Sequence, residues 1–144
     1  MFLQTTGRRG VQELNFLHMH QNVISWVEIP VVAMDRAKEF YESVFKFEIE
    51  VQQFNELLMG WFPYAGGKEG ASGSLVQHKD GYVPSDSLGP VVYFACEDVQ
   101  VVLERVEGAG GQIVQPKTQI NEAIGFMGVF LDSEGNRIAL HSRK

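Results

Sequence analysis

The sequence predicts an α+β fold of two paired βαβββ modules whose curved sheets enclose a cavity. Three observations carry this. A run rich in Val, Ile and Trp, Val23 to Val32, leads into an amphipathic stretch, Met34 to Phe45. Three shorter strand-like segments follow it. Then, after a linker, the same order of elements begins again at Val91, and a repeat on that scale marks a duplicated fold.

The elements can be justified in turn. Val23 to Val32 is β-branched and aromatic, and Pro30 near its end places it at a sheet edge or bulge. In Met34 to Phe45 the apolar residues Met34, Ala37, Phe40, Tyr41, Val44 and Phe45 recur at helical spacing. Arg36, Lys38, Glu39 and Glu42 supply the wet face. Phe47 to Gln53, Glu56 to Pro63 and Ser72 to His78 are strand candidates, with Gly66, Gly67, Gly70 and Gly73 punctuating the interval before the last. Lys79 to Gly89 has no apolar periodicity and reads as a linker.

The second module opens with the strand Val91 to Cys96. Asp98 is an N-cap for a helix whose stripe is Val99, Val102, Leu103 and Val106, closed by Gly108, Gly110 and Gly111. Gln112 to Gln115 is a short strand ending before Pro116. Gly125 to Asp132 and Asn136 to Ser142 form a hairpin about Ser133, Glu134 and Gly135. Module one therefore spans about 22–80, the linker about 79–89 and module two about 90–143, within one domain at 22–144. Residues 1–21 lack periodicity and read as an extension, poorly structured or packed on a partner; Met19 is a candidate natural start.

At 144 residues the chain is one domain with a real core. A net charge of −6 argues against nucleic-acid binding, since no basic excess is present to release counterions. No apolar run reaches the ~18–20 residues of a membrane span, and the first segment lacks the pattern of a signal peptide. A cytoplasmic location follows by default. The one cysteine, Cys96, excludes an intrachain disulfide and reads as a small buried thiol.

Three segments carry a resemblance: "EIPVVAMDRAKEFYESVFKFE" (Glu28 to Glu48), "VVYFACEDVQVVLERVEGAGGQIVQPKT" (Val91 to Thr118) and "GVFLDSEGNRIALHS" (Gly128 to Ser142). In order and spacing they resemble the glyoxalase/bleomycin resistance/dioxygenase superfamily, the vicinal-oxygen-chelate fold. The resemblance implies a homodimer and, in the members with chemistry, a divalent metal held by His, Glu or Gln from the first and last strands of each module.

Aligning on Phe40-Tyr41 puts Trp26 at the first of these ligand positions, Val91 at the second module's equivalent and Ala139 on the final strand. None of the three ligates through its side chain. The fourth position lies on Ser72 to His78, with Gln77 and His78 as alternatives. A member without the usual metal ligands is therefore expected.

Strand alternation puts Glu28 and Pro30 on the face of Trp26, Tyr93 on that of Val91, and His141 on that of Ala139. Glu28 stands in an apolar strand, where a carboxylate is costly unless paired. It is a candidate general base or an anchor for a cationic or hydroxylated ligand; the alternative is a structural pair. Trp26, Glu28, Tyr93, His141, Trp61 and Gln77 form the candidate ligand site. Trp61 belongs to an aromatic run, Trp61 to Tyr64, that also suits a lid or a dimer contact. His18, His20 and His78 read as solvent-facing. The glycines at Gly66, Gly67 and Gly70 do not form a phosphate loop.

The leading expectation is a protein that binds a small organic molecule in an aromatic cavity without the superfamily's metal. The alternatives are a metal-dependent lyase, isomerase or dioxygenase of glyoxalase type, and an interaction domain using the N-terminal extension.

Overall fold

The computed structural model describes residues 23–66 and 70–144. The N-terminal extension, with His18 and His20, lies outside the described residues. The chain order is β1 (Trp26–Pro30), α1 (Met34–Phe45), β2 (Glu50–Phe54), β3 (Leu57–Trp61), β4 (Ser72–Gln77), β5 (Val92–Ala95), α2 (Val99–Leu103), β6 (Gln112–Asn121), β7 (Gly125–Leu131) and β8 (Arg137–Ser142). Each module is thus βαβββ.

The sheets have matching orders, β1-β4-β3-β2 and β5-β8-β7-β6, with a parallel pair at the start of each and antiparallel pairs beyond. The duplication holds at the level of register. Glu28 pairs with Ser74 and Tyr93 with Ala139, so both members move by the same 65 residues between modules. That offset also relates Met34 to Val99 and Gln77 to Ser142, and these carry a repeated device. Gln77 Oε1 accepts the Met34 N–H at 2.6 Å, and Ser142 Oγ accepts the Val99 N–H at 3.2 Å. In both modules the last strand caps the helix from the side, meeting a backbone donor that the helix itself leaves orphaned.

Helix α1 coincides with the expected span, and Met34, Ala37, Phe40, Tyr41 and Val44 are buried. Burying each large side chain of that stripe is worth about 1.5–3 kcal/mol. Ala33 provides no side-chain cap. Glu134, from the hairpin of the other module, accepts from the Val32 and Ala33 N–H groups at 2.9 and 2.8 Å and pairs with Arg36. The expected stripe Val99, Val102, Leu103 and Val106 is buried, although α2 ends at Leu103 and Val106 follows in a turn, and Asp98 accepts from the Gln100 N–H as the N-cap.

The modules meet through their helix-side faces. Phe94 lies 4.5 Å from Phe45 and 5.6 Å from Phe62 between ring centroids, and Phe40 lies 6.0 Å from Phe130. The Tyr41 hydroxyl donates to Asp132 across the same junction at 2.8 Å. Burial raises the pKa of both groups, that of Tyr41 strongly.

One expectation is corrected. The strand after Gln112 continues through Pro116 to Asn121, because β6 is an outer strand and its register shifts between Gln115 and Thr118 leave the proline no ladder bond to donate. The paired modules are as expected, and the two sheets stay separate rather than closing into a barrel. Among the described residues no ladder joins β1 to β5, and since the modules share one core on their helix sides, the opposite faces are left open.

Candidate functional site

The register decides which side chains share the open face of the first sheet. Trp26, Glu28 and Pro30 of β1 stand opposite Ser72, Ser74 and Val76 of β4. Met59 and Trp61 of β3 pair with Val76 and Ser74, and Gln52 of β2 pairs with Met59. The alternate residues Val27, Ile29 and Leu75 turn into the core.

Three aromatic rings arch over this face. Trp26 meets Trp61 edge-on at 6.5 Å, and Phe54 stacks on Trp61 at 6.2 Å. They remain 41%, 37% and 48% exposed for Trp26, Trp61 and Phe54. Large rings left this bare on one sheet face are the kind of patch that marks an interaction site.

Between Glu28 and Trp61 in the ladder lies Ser74, fully buried, whose Oγ has no hydrogen-bond partner among the described residues. A buried hydroxyl left unpaired costs free energy, so its presence calls for an explanation. Beside it, Glu28 Oε2 accepts the Tyr82 hydroxyl at 2.5 Å. That bond to the carboxylate raises the Tyr82 phenol pKa, with burial adding to it.

The second sheet carries Tyr93, Ala139 and His141 on its own open face, with Tyr93 53% exposed. His141 does not reach Glu28: its Nε2 donates to the Ile124 carbonyl at 2.9 Å. The structure therefore gathers Trp26, Glu28 and Trp61 on one face and leaves Tyr93 and His141 on the face of the other sheet. Gln77 belongs to neither. Its position is offset by one residue from the open face, and its amide is spent capping α1. The expectation of Gln77 as a ligand-binding residue is corrected accordingly.

Tyr82, Ser74 and Phe54 went unassigned by sequence reasoning. Tyr82 is an aromatic residue inside a polar linker, a usable signal. Ser74 needed the β1–β4 register, which local pattern does not fix. Cys96 is half-buried, and burial first, then Asp98, pushes its thiol pKa up, as suits an unreactive side chain.

The register also bears on the fourth ligand position that the resemblance implies. Ala139 corresponds to Ser74, so the four positions hold Trp26, Ser74, Val91 and Ala139. An indole, a hydroxyl and two aliphatic groups do not fit Zn, Ni, Mn or Fe, which take imidazole, thiolate or carboxylate donors. Among the described residues no three His, Cys, Asp or Glu side chains come together as a metal site requires, and no helix is long and apolar enough to cross a membrane.

Comparison with known proteins agrees with the paired-module fold. The chain is similar in fold to the glyoxylase/bleomycin resistance protein/dioxygenase domain from Frankia sp. EAN1pec, with a TM-score of 0.67 and 17% identity over 85% of this chain and 98% of that one. UcmS2 gives a TM-score of 0.63 and 23% identity over 84% and 98%. Glyoxalase I from Zea mays gives 0.63 and 17%, and the chain spans only 45% of that protein's length while 82% of its own is covered. At these identities the likeness is one of fold. No curated protein sequence matches. A family model, Glyoxalase/Bleomycin resistance protein/Dioxygenase superfamily, matches residues 23–140. With most of its length matched and the paired modules in place, the chain belongs to the glyoxalase/bleomycin resistance protein/dioxygenase superfamily.

Proposed function

We propose that the protein binds a small planar organic molecule on the open face of its first sheet, without a metal. The observation that carries this is the buried, unpaired Ser74 hydroxyl beside the exposed Trp26–Trp61–Phe54 arch. The rings offer stacking surface, worth about 0.5–1.5 kcal/mol per well-placed aromatic pair beyond burial. Ser74, buried at this face, supplies a donor and acceptor when the rings part around a ligand, and Glu28, steadied by Tyr82, an anionic rim. This combination suits a ligand with a flat apolar body and a cationic or hydroxylated edge. Tyr93 and His141 extend the surface along the second sheet, where a homodimer partner can flank it. Binding rather than turnover is the reading that these residues support, because the family's ligand positions lack metal donors.

The chain has two tryptophans, and both line this face. Their emission is a built-in reporter. Titration with bleomycin and with simpler planar aromatic cations is expected to quench it saturably, and Trp61→Ala to weaken the binding at least tenfold. Saturable binding that leaves tryptophan emission unchanged would count against the assignment.

A further inference from the structure

A separate, half-open cavity lies between β1 and β5, beneath the linker, and none of Trp26, Trp61 or Phe54 lines it. Its volume is about 170 Å³, and its walls include Glu28, Pro30, Val83, Leu88, Arg137 and Ile138. That is roughly six waters at ~30 Å³ apiece, the scale of a small aliphatic metabolite.

Its rim is tied in place. Asn136 Nδ2 donates to the Pro30 carbonyl at 2.7 Å, the Ser85 N–H donates to Asn136 Oδ1 at 3.3 Å, and the Arg137 N–H donates to the Ser85 carbonyl at 3.3 Å. The linker, β1 and the start of β8 thus form one frame around the cavity, so its shape exists before anything binds.

Two opposite charges line it, and they do not pair with each other. Arg137 Nε is buried and has no hydrogen-bond partner among the described residues. A guanidinium cannot shed its proton to escape that cost. Glu28 lines the same cavity with the opposite charge, yet the ion pairs among the described residues include neither of them. A cation and a carboxylate that share a cavity without meeting are complementary to a ligand carrying both opposite charges.

From this we infer a binding site for a small zwitterion, an α-amino acid with an aliphatic side chain. Its carboxylate accepts from Arg137, its ammonium donates to Glu28, and its side chain lies against Pro30, Val83, Leu88 and Ile138. The site stands apart from the aromatic rings, with Glu28 and Pro30 common to both faces.

Calorimetric titration of the full chain with L-leucine tests it, beside 4-methylpentanoate, which lacks the ammonium, and 3-methylbutylamine, which lacks the carboxylate. Leucine is expected to bind one to one, with both analogues at least tenfold weaker. Arg137→Gln is expected to weaken leucine at least tenfold and Trp61→Ala to leave it within twofold. The Arg137 Nε–H resonance gives a readout that needs no variant, and leucine is expected to shift it. Absence of saturable leucine binding, an unmoved Nε–H signal, or affinity that survives in folded Arg137→Gln overturns the inference. Loss of leucine binding in Trp61→Ala would place the ligand on the aromatic face instead and also overturn it.

Discussion

The Tyr82 hydroxyl donates to Glu28 Oε2 at 2.5 Å, fastening the segment between the modules to the open face of the first sheet. The bond fixes a carboxylate that would otherwise swing freely at the sheet edge. It also explains how Glu28 stands within an otherwise apolar strand: its charge is exposed at one side and partnered by a phenol.

The bond makes the Tyr82 phenol harder to ionise than an ordinary tyrosine. Replacing Glu28 by Gln removes the charge that favours the neutral phenol, so the Tyr82 pKa is expected to fall. A pH titration of the tyrosine ring carbons by NMR measures it directly. An unchanged Tyr82 midpoint in Glu28→Gln would mean that the pair is not formed in solution.

Gln77 tests the division between structure and site. Gln77→Ala leaves the Met34 N–H without its acceptor and is expected to cost about 0.5–1.5 kcal/mol. Ligand affinity at the aromatic face should stay within twofold. Chemical denaturation and the tryptophan titration together separate the two effects, and a loss of affinity without a loss of stability would return Gln77 to the ligand site.

Glu134 joins the modules by accepting two backbone N–H groups at the entrance to α1 and pairing with Arg36. Glu134→Ala is expected to destabilise the fold by about 2–4 kcal/mol at neutral pH, since bonds to a charged acceptor are each worth about 1.5–3 kcal/mol and Arg36 is half-exposed. Burial alone would raise the Glu134 pKa; bonds from Arg36, Ala33, Ser133 and Val32 outweigh it and hold the carboxyl below its ordinary value. A lowered folded pKa means that this stability is full above about pH 4.5 and is lost as the pH falls through the folded value. The melting-temperature gap between wild type and Glu134→Ala should therefore narrow below about pH 4. A gap that stays constant into acid would contradict the role of the charge.

What the sequence made legible follows from what is local. The stripe of Met34, Ala37, Phe40, Tyr41 and Val44 gives α1 its full span, because helical periodicity and burial coincide there. Strand alternation put Trp26 with Glu28 and Tyr93 apart from Phe94, since a two-residue period needs no knowledge of partners. Ser74 was hidden for the opposite reason. Its face and its partners depend on pairing with β1, formed across more than forty intervening residues. Gln77 was misplaced by the same uncertainty, one residue out of phase. The strand through Pro116 was cut short because a proline forbids a ladder bond in general but not on an outer strand with shifted register.

The central claim is a ligand site that works through aromatic stacking, Ser74 and Glu28, with no metal taking part. The most direct measurement is ligand affinity by calorimetry on untagged protein stripped with a chelator, before and after adding Zn, Ni, Mn or Fe(II). One site is expected, with an affinity that stays within twofold under every condition and falls at least tenfold in Trp61→Ala. Affinity that emerges only with a stoichiometric metal would contradict it.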